Sequence, residues 1–287
     1  MMKPRRNVAL GLFAAALALA GALAPGVSAQ ADPASCPAPG TGGRSSALPA
    51  PTVLTGSVHT TAANQVLDNV EIRGRLYIDH PGVVIRDSTL VGDAYYAVYS
   101  TAGGLGFTIQ DSDVNGPIKF SDGSTVRDTH IFGSPGTILA DGLFIANDLV
   151  TIDNVRIEQL RPLYGQHVDG IQITRGTGIS ITNSWIDPTP ASGIVNDTVN
   201  AAIFTMGSDS DPVADLTISC NVLMHAVNSY YPLRLNGTQG TVTVTDNIVS
   251  DAVGSPPVRV TGPVPTTLVW SGNELADGTP ISVPAPW

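Results

Sequence analysis

From Leu67 onward one short alternation of apolar and polar residues returns nine times: LDNVEI at 67, IRDSTL at 85, IQDSDV at 109, VRDTHI at 126, IDNVRI at 152, ITNSWI at 181, ISCNVL at 218, VTDNIV at 244 and WSGNEL at 270. Each reads apolar, polar, Asx, any, any, apolar. Alternation with period two marks strands, and its return every 17 to 37 residues marks a solenoid whose coils stack to share one core. No amphipathic helical pattern interrupts the series.

The third position holds Asn69, Asp87, Asp111, Asp128, Asn154, Asn183 and Asp246, with Cys220 and Gly272 as exceptions. A short side chain that tolerates unusual dihedrals and accepts from nearby backbone amides suits a corner between two strands. These carboxylates are therefore assigned to architecture. A second pattern, small, aliphatic, variable, aliphatic, follows in seven coils: AVYS at 97, PIKF at 117, GLFI at 142, GIQI at 170, AIFT at 202, PLRL at 232 and PVRV at 257. Two or three short strands per coil describe an all-β chain, a parallel β-helix of about nine rungs with neighbouring rungs roughly 4.8 Å apart.

Aligning the second strands puts Tyr99, Lys119, Phe144, Gln172, Phe204, Arg234 and Arg259 in one outward column. The adjoining corner column holds Tyr96, Gly116, Asp141, Asp169, Ala201, Tyr231 and Pro256. Aromatic faces stack on sugar rings, amides bond hydroxyls, and the planar guanidinium fork matches a carboxylate. Such a strip suits an extended sugar chain. The longer inserts, 158–168, 187–200 and 206–215, gather near the middle rungs, where loops on a rigid scaffold would wall a site.

Composition narrows the setting. Thirty Gly and 22 Pro against 6% aromatic and 13% charged residues mark a turn-rich chain. Lys3, Arg5 and Arg6, an Ala/Leu-rich run and then Val27-Ser28-Ala29 read as a signal peptide over residues 1–29, cut before Gln30, so a secreted protein with no transmembrane segment after cleavage is expected. Taking those three basic residues from 14 leaves 11 Lys and Arg against 24 Asp and Glu, a balance of −13 that argues against nucleic acid as a partner. Residues 30–52 are Pro/Gly/Ser-rich and read as a linker or loosely packed lead-in to a β-helix domain over 53–287. Cys36 and Cys220 stand alone, in a compartment that permits them to pair or to stay as two thiols.

The repeat and the stretch His167-Val168-Asp169-Gly170-Ile171-Gln172 together resemble the right-handed parallel β-helix proteins of the pectate-lyase-like superfamily (pectin lyase fold), and especially secreted bacterial members with a His-x-Asp-Gly-Ile-Gln element in a middle rung. The resemblance spans roughly residues 53–287 and speaks for fold more than for function. It implies a carbohydrate-active protein, with pectate-lyase-like chemistry using Asp-bound Ca2+ and an arginine or lysine base.

On that basis the leading expectation is β-elimination of a uronate-containing extracellular polysaccharide. His167, Asp169 and Arg234 would be catalytic, with Arg234 or His167 as base or carboxylate neutraliser and Asp169 orienting His167. Gln172, Lys119, Tyr99, Tyr231 and Arg259 would bind substrate, and Asp141 with Asp169 would hold the cation. A glycoside hydrolase would need flanking carboxylates. The polygalacturonase motifs are absent as such, leaving Asp169, Asp197, His225 and Arg259 at comparable intervals. The rival from another class is a non-catalytic glycan-binding or adhesion module. The residues also admit plain architectural roles: His167 as a corner cap, Asp169-Gly170 as a turn pair, Phe144 and Phe204 as packing, and Arg234 and Arg259 laddering with nearby acids.

Overall fold

The computed structural model describes residues 36–92, 95–133, 141–161, 167–191, 199–224, 231–251, 256–262 and 265–285. Among these residues all regular structure is β, and every strand-to-strand pairing is parallel. The chain is a parallel β-helix.

Each rung lays one segment into a sheet formed by the second pattern, termed here the front sheet. Its strands are Val58–His59, Leu76–Ile78, Val98–Ser100, Ile118–Lys119, Leu143–Ala146, the first half of Val168–Thr182, Val199–Thr205, Tyr231–Asn236 and Val258–Thr261. The rung then turns and lays down the nine-fold repeat as two more segments, as in Val84–Arg86 followed by Thr89–Val91. Inward aliphatics from all three segments, such as Ile72, Ile85, Ile118, Ile145, Ile171 and Leu233, form one continuous buried core.

The bend between the two repeat segments falls at the third position of the motif. Asn69, Asp87, Asp111, Asp128, Asn154, Asn183, Cys220, Asp246 and Gly272 all have φ between 48° and 65°, the left-handed region. Asn and Asp visit it at low cost, and Gly272 at none. The side chain that accepts from the backbone amides of the neighbouring rung is the next residue, not this one. Ser88 Oγ accepts from the Val70 amide, Ser112 Oγ from Ser88, Ser184 Oγ from Val155, Asn221 Oδ1 from Ser184, Asn247 Oδ1 from Asn221 and Asn273 Oδ1 from Asn247, over 2.9 to 3.2 Å. The αL residue points its side chain outward while its neighbour turns inward under the bend, so the stacked polar ladder is buried.

The Pro/Gly/Ser-rich lead-in is not loose from Cys36 on. It runs as a strap across the outside of these bends, against the direction of the stack. Cys36 is disulfide-bonded to Cys220, the Gly40 amide donates to Asn183 O, Thr41 bonds Asn154 Oδ1, and the Gly43 amide donates to Asp128 O. Arg44 then reaches Asp87 O and Asn69 Oδ1. Pro and Gly leave few competing local bonds, so the strap's polar groups are satisfied by the αL corners it crosses. At the far end Trp270 Nε1 donates to Ile281 O, and the Ile281 amide to Asn273 O, folding the tail over the last rung.

Asn247 has its amide side chain fully buried and bonded to Asn221, Asn273, Ile218 and Thr245. Asn247→Ala is expected to lower unfolding free energy by about 2–3 kcal/mol in a denaturant titration. Cys36→Ser is expected to cost about 2–4 kcal/mol in the same measurement, because the bond closes a loop of 184 residues.

Candidate functional site

Strand register fixes the outward column residue by residue. His59 pairs with Tyr77, Tyr77 with Tyr99, Tyr99 with Lys119, Lys119 with Phe144, Phe144 with Gln172, Gln172 with Phe204, Phe204 with Arg234 and Arg234 with Arg259. The expected column is thus one stack, and it starts two rungs earlier than the second pattern indicates. Tyr77 escapes the pattern because Arg75 stands where later rungs have a small residue, whereas Ser57-Val58-His59-Thr60 fits it as Ala202-Ile203-Phe204-Thr205 does and precedes the first repeat.

At rungs six to nine the stack opens into a cleft of about 440 Å³ lined by His167, Gln172, Asn200, Phe204, Met206, Tyr231, Arg234 and Arg259. His167, Gln172 and Arg234 therefore share one cleft with Tyr231 and Arg259. Tyr99 and Lys119 lie further along the same face, outside it. Gln172 Nε2 lies 3.2 Å from Met206 Sδ, a weak acceptor, which leaves most of its amide capacity for a ligand. Asn200 and Met206 were not among the expected residues, since both lie in inserts to which the repeat assigns no register.

The cations of this face share an arrangement. Arg234 lies over the Phe204 ring at 4.6 Å, Arg259 over Tyr231 at 5.2 Å, Lys119 over Tyr99 at 4.2 Å and Arg75 over Tyr77 at 5.6 Å. Polar contacts tie Arg259 to Tyr231 Oη at 2.7 Å, Lys119 to Tyr99 Oη at 2.9 Å and Arg234 to Asn200 Oδ1 at 3.3 Å. Among the described residues none of the four forms an ion pair with a carboxylate. Five other arginines, Arg73, Arg86, Arg127, Arg156 and Arg175, each pair with one at 2.5 to 3.8 Å. Among the described residues Arg234 and Arg259 thus do not ladder with acids. In so acidic a chain, four cations held on aromatic rings and spared a carboxylate make an anion-attracting strip. Lys119 also holds the Tyr99 hydroxyl below its usual pKa through their hydrogen bond.

Asp169 is not in the cleft. It lies inside the long strand Val168–Thr182, not in a turn, and is fully buried. His167 lies just before that strand and is exposed, and no hydrogen bond joins the two; the register shift beside them places the extra residue, Asn200, in the neighbouring strand. Gly170 follows because a Cβ there would meet Ala202 O at 2.6 Å, and Gly142 because one would meet Gly170 O at 2.6 Å. The Asp-Gly pairs at 141–142 and 169–170 thus answer to close backbone stacking. They also set two carboxylates on adjacent rungs, with the Asp169 amide donating to Asp141 Oδ1 at 2.9 Å.

Burial pushes the Asp141 carboxyl up to about 7, against the opposing Asp169 amide. Asp169 is raised well above the ordinary carboxylate range by burial and then by Asp141, while the Ala201 amide, Asn200 and Arg234 pull weakly the other way. Neither Asp169 oxygen has a well-formed hydrogen bond. As ligands for Ca2+ the pair is short: a hard cation takes six to eight oxygens, and no third Asp, Glu, His or Cys joins them among the described residues.

A second cleft of about 400 Å³ lies beyond the other ends of the front strands, lined by Asp122, Asp148, Arg175 and Asp211 among others. Its acids are engaged in scaffolding: Asp122 accepts from Asn147 and the Asp148 amide, Asp148 from the Thr177 amide, and Asp211 faces Arg175 at 3.8 Å. Asp197 and His225 lie outside the described residues. No family model matches the chain, and no curated protein or solved structure matches it either.

A carboxyl whose folded pKa is raised stabilises the fold fully below its unfolded value, near 4, and loses that contribution as pH rises through about 7. Asp141→Asn keeps an oxygen for the Asp169 amide and removes the ionisation. The variant is expected to match the parent near the acid end of that window and to be more stable by roughly 1–3 kcal/mol at mildly alkaline pH, read from unfolding curves across the range.

Proposed function

We propose that this protein is a secreted β-helix protein of the pectate-lyase-like kind that binds an acidic extracellular polysaccharide along its front sheet and cleaves it by β-elimination in the cleft. The observation that carries this reading is the row of ring-seated cations, Lys119, Arg234 and Arg259 foremost, on one outward stack and without carboxylate partners among the described residues. A uronate chain supplies the missing carboxylates and offers sugar faces to Tyr99 and Tyr231.

In β-elimination a base removes the proton beside the uronate carboxylate, the electron pair forms a carbon–carbon double bond, and the glycosidic oxygen leaves and takes a proton from water. His167, exposed at the cleft wall, is the base in this reading. Arg234 neutralises the carboxylate as negative charge spreads onto it, and Arg259 holds a neighbouring uronate. Gln172 and Asn200 bond hydroxyls. Asp169, buried behind Asn200, acts as support.

Among the described residues no carboxylate lines the cleft, which favours elimination over hydrolysis, since hydrolysis uses a pair of them. The non-catalytic reading keeps one specific point in its favour, the absence of a bond between His167 and Asp169 that would orient the imidazole.

Incubation with acidic and neutral polysaccharides, with and without calcium, separates the readings. Elimination yields an unsaturated uronate seen by ultraviolet absorbance, hydrolysis yields reducing ends without it, and a binding module yields neither. Arg234→Ala is expected to lose binding and product together. His167→Ala is expected to lose at least a hundredfold in product formation while retaining affinity. Equal product from His167→Ala and the parent would remove the assignment of the base.

A further inference from the structure

We infer that the first rungs carry a separate anchoring site for the same acidic glycan, an aromatic platform centred on Tyr77 and Tyr99 that grips the chain away from the cleft. This inference rests on the glycan reading above and adds a requirement for chain length.

Four rings cover the outward face here. His59 and Tyr77 are stacked at 4.4 Å with their planes 2° apart, Tyr77 and Tyr99 have centroids 5.8 Å apart, and Tyr96 meets Tyr99 edge-on at 5.7 Å. The core does not need them, because Leu76, Ile78 and Val98 of the same strands already fill the inside. Two cations complete the platform. Arg75 donates to Tyr77 Oη at 3.1 Å and to Tyr96 O at 3.2 Å, and Lys119 donates to Tyr99 Oη. The neighbouring Asp79 is engaged by His59 at 2.7 Å, so it does not neutralise either cation. A block of stacked rings with their hydroxyls next to fixed positive charge matches a pyranose that carries a carboxylate.

The occupant follows from charge and from continuity. The platform and the cleft belong to one register-locked stack, so a chain lying along the strand-to-strand direction crosses both. From Tyr99 to Arg234 are five rung steps, roughly 24 Å, and an extended pyranose repeat is about as long as one step. A chain of about eight sugars therefore reaches from the platform into the cleft, while one of about four fits the cleft alone. Platform binding makes cleft engagement intramolecular for long chains.

The test is calorimetric titration of the full protein with size-fractionated oligomers of polygalacturonate, alginate and hyaluronate, and with the parent polymers. For whichever uronate binds, affinity is expected to rise by about tenfold or more between about four and about nine sugars. Tyr77→Ala and, separately, Arg75→Gln should abolish that rise and leave the affinity for the short oligomer unchanged. The second variant keeps every ring and guards against a folding defect in the first, with thermal unfolding measured for both. A rise that persists in both variants, or no rise in the parent, overturns the platform while short-oligomer binding lost in Arg234→Ala upholds the cleft. Binding untouched by all three variants overturns the glycan reading of the face, and the platform with it.

Discussion

The molecule depends on one constraint, that the chain turn the same corner on every rung without slipping by a residue. A slip would move each outward side chain into the core. The αL residue fixes the bend, and the buried Ser or Asn beside it fixes the height, because its oxygen meets the amide of the neighbouring rung. The tail of the stack uses three successive asparagines, each of which also donates to its neighbour or to a carbonyl. With register held this way, residues up to two hundred positions apart, from His59 to Arg259, form one straight column.

That column concentrates positive charge on a chain whose overall balance is negative. Elsewhere arginines pair with carboxylates on the surface, where such pairs contribute little to stability. On the front sheet aromatic rings take the place of the carboxylates. They hold each cation in position without cancelling its charge, and so keep it available to an anion. The buried Asp141–Asp169 pair lies just behind this face, and burial shifts both carboxyls toward the neutral form, which lessens the charge they set against the cations.

The sequence was legible wherever the repeat imposes a rule. Nine αL corners, including the irregular Cys220 and Gly272, fall at the third motif position, and the seven expected column residues stack in order. Reading stopped where chemistry is shared between residue types. The amide-accepting ladder uses Ser and Asn with Val and Thr interspersed, and no single letter marks it. The strap is written in the composition of a linker, and only its contacts with the corners distinguish it from one. Asp169 reads as a neighbour of His167 because both sit on the same side of an ideal strand, but the strand begins only at Val168, and His167 is exposed where Asp169 is buried. Asn200 and Met206 come from inserts, for which alternation gives no position.

The strap has a consequence for how the molecule comes apart. A solenoid is nearly one-dimensional, since each rung touches only its neighbours and can fray from an end independently of distant rungs. A strap that bonds the corners of the first rungs through Arg44 and the seventh through Cys36 adds contacts that skip along that axis. Loss of an inner rung among these then disturbs strap contacts that reach from the first rungs to the seventh. The strap converts a stack of semi-independent layers into a unit that melts as a whole, as a bound spine keeps pages from shedding singly.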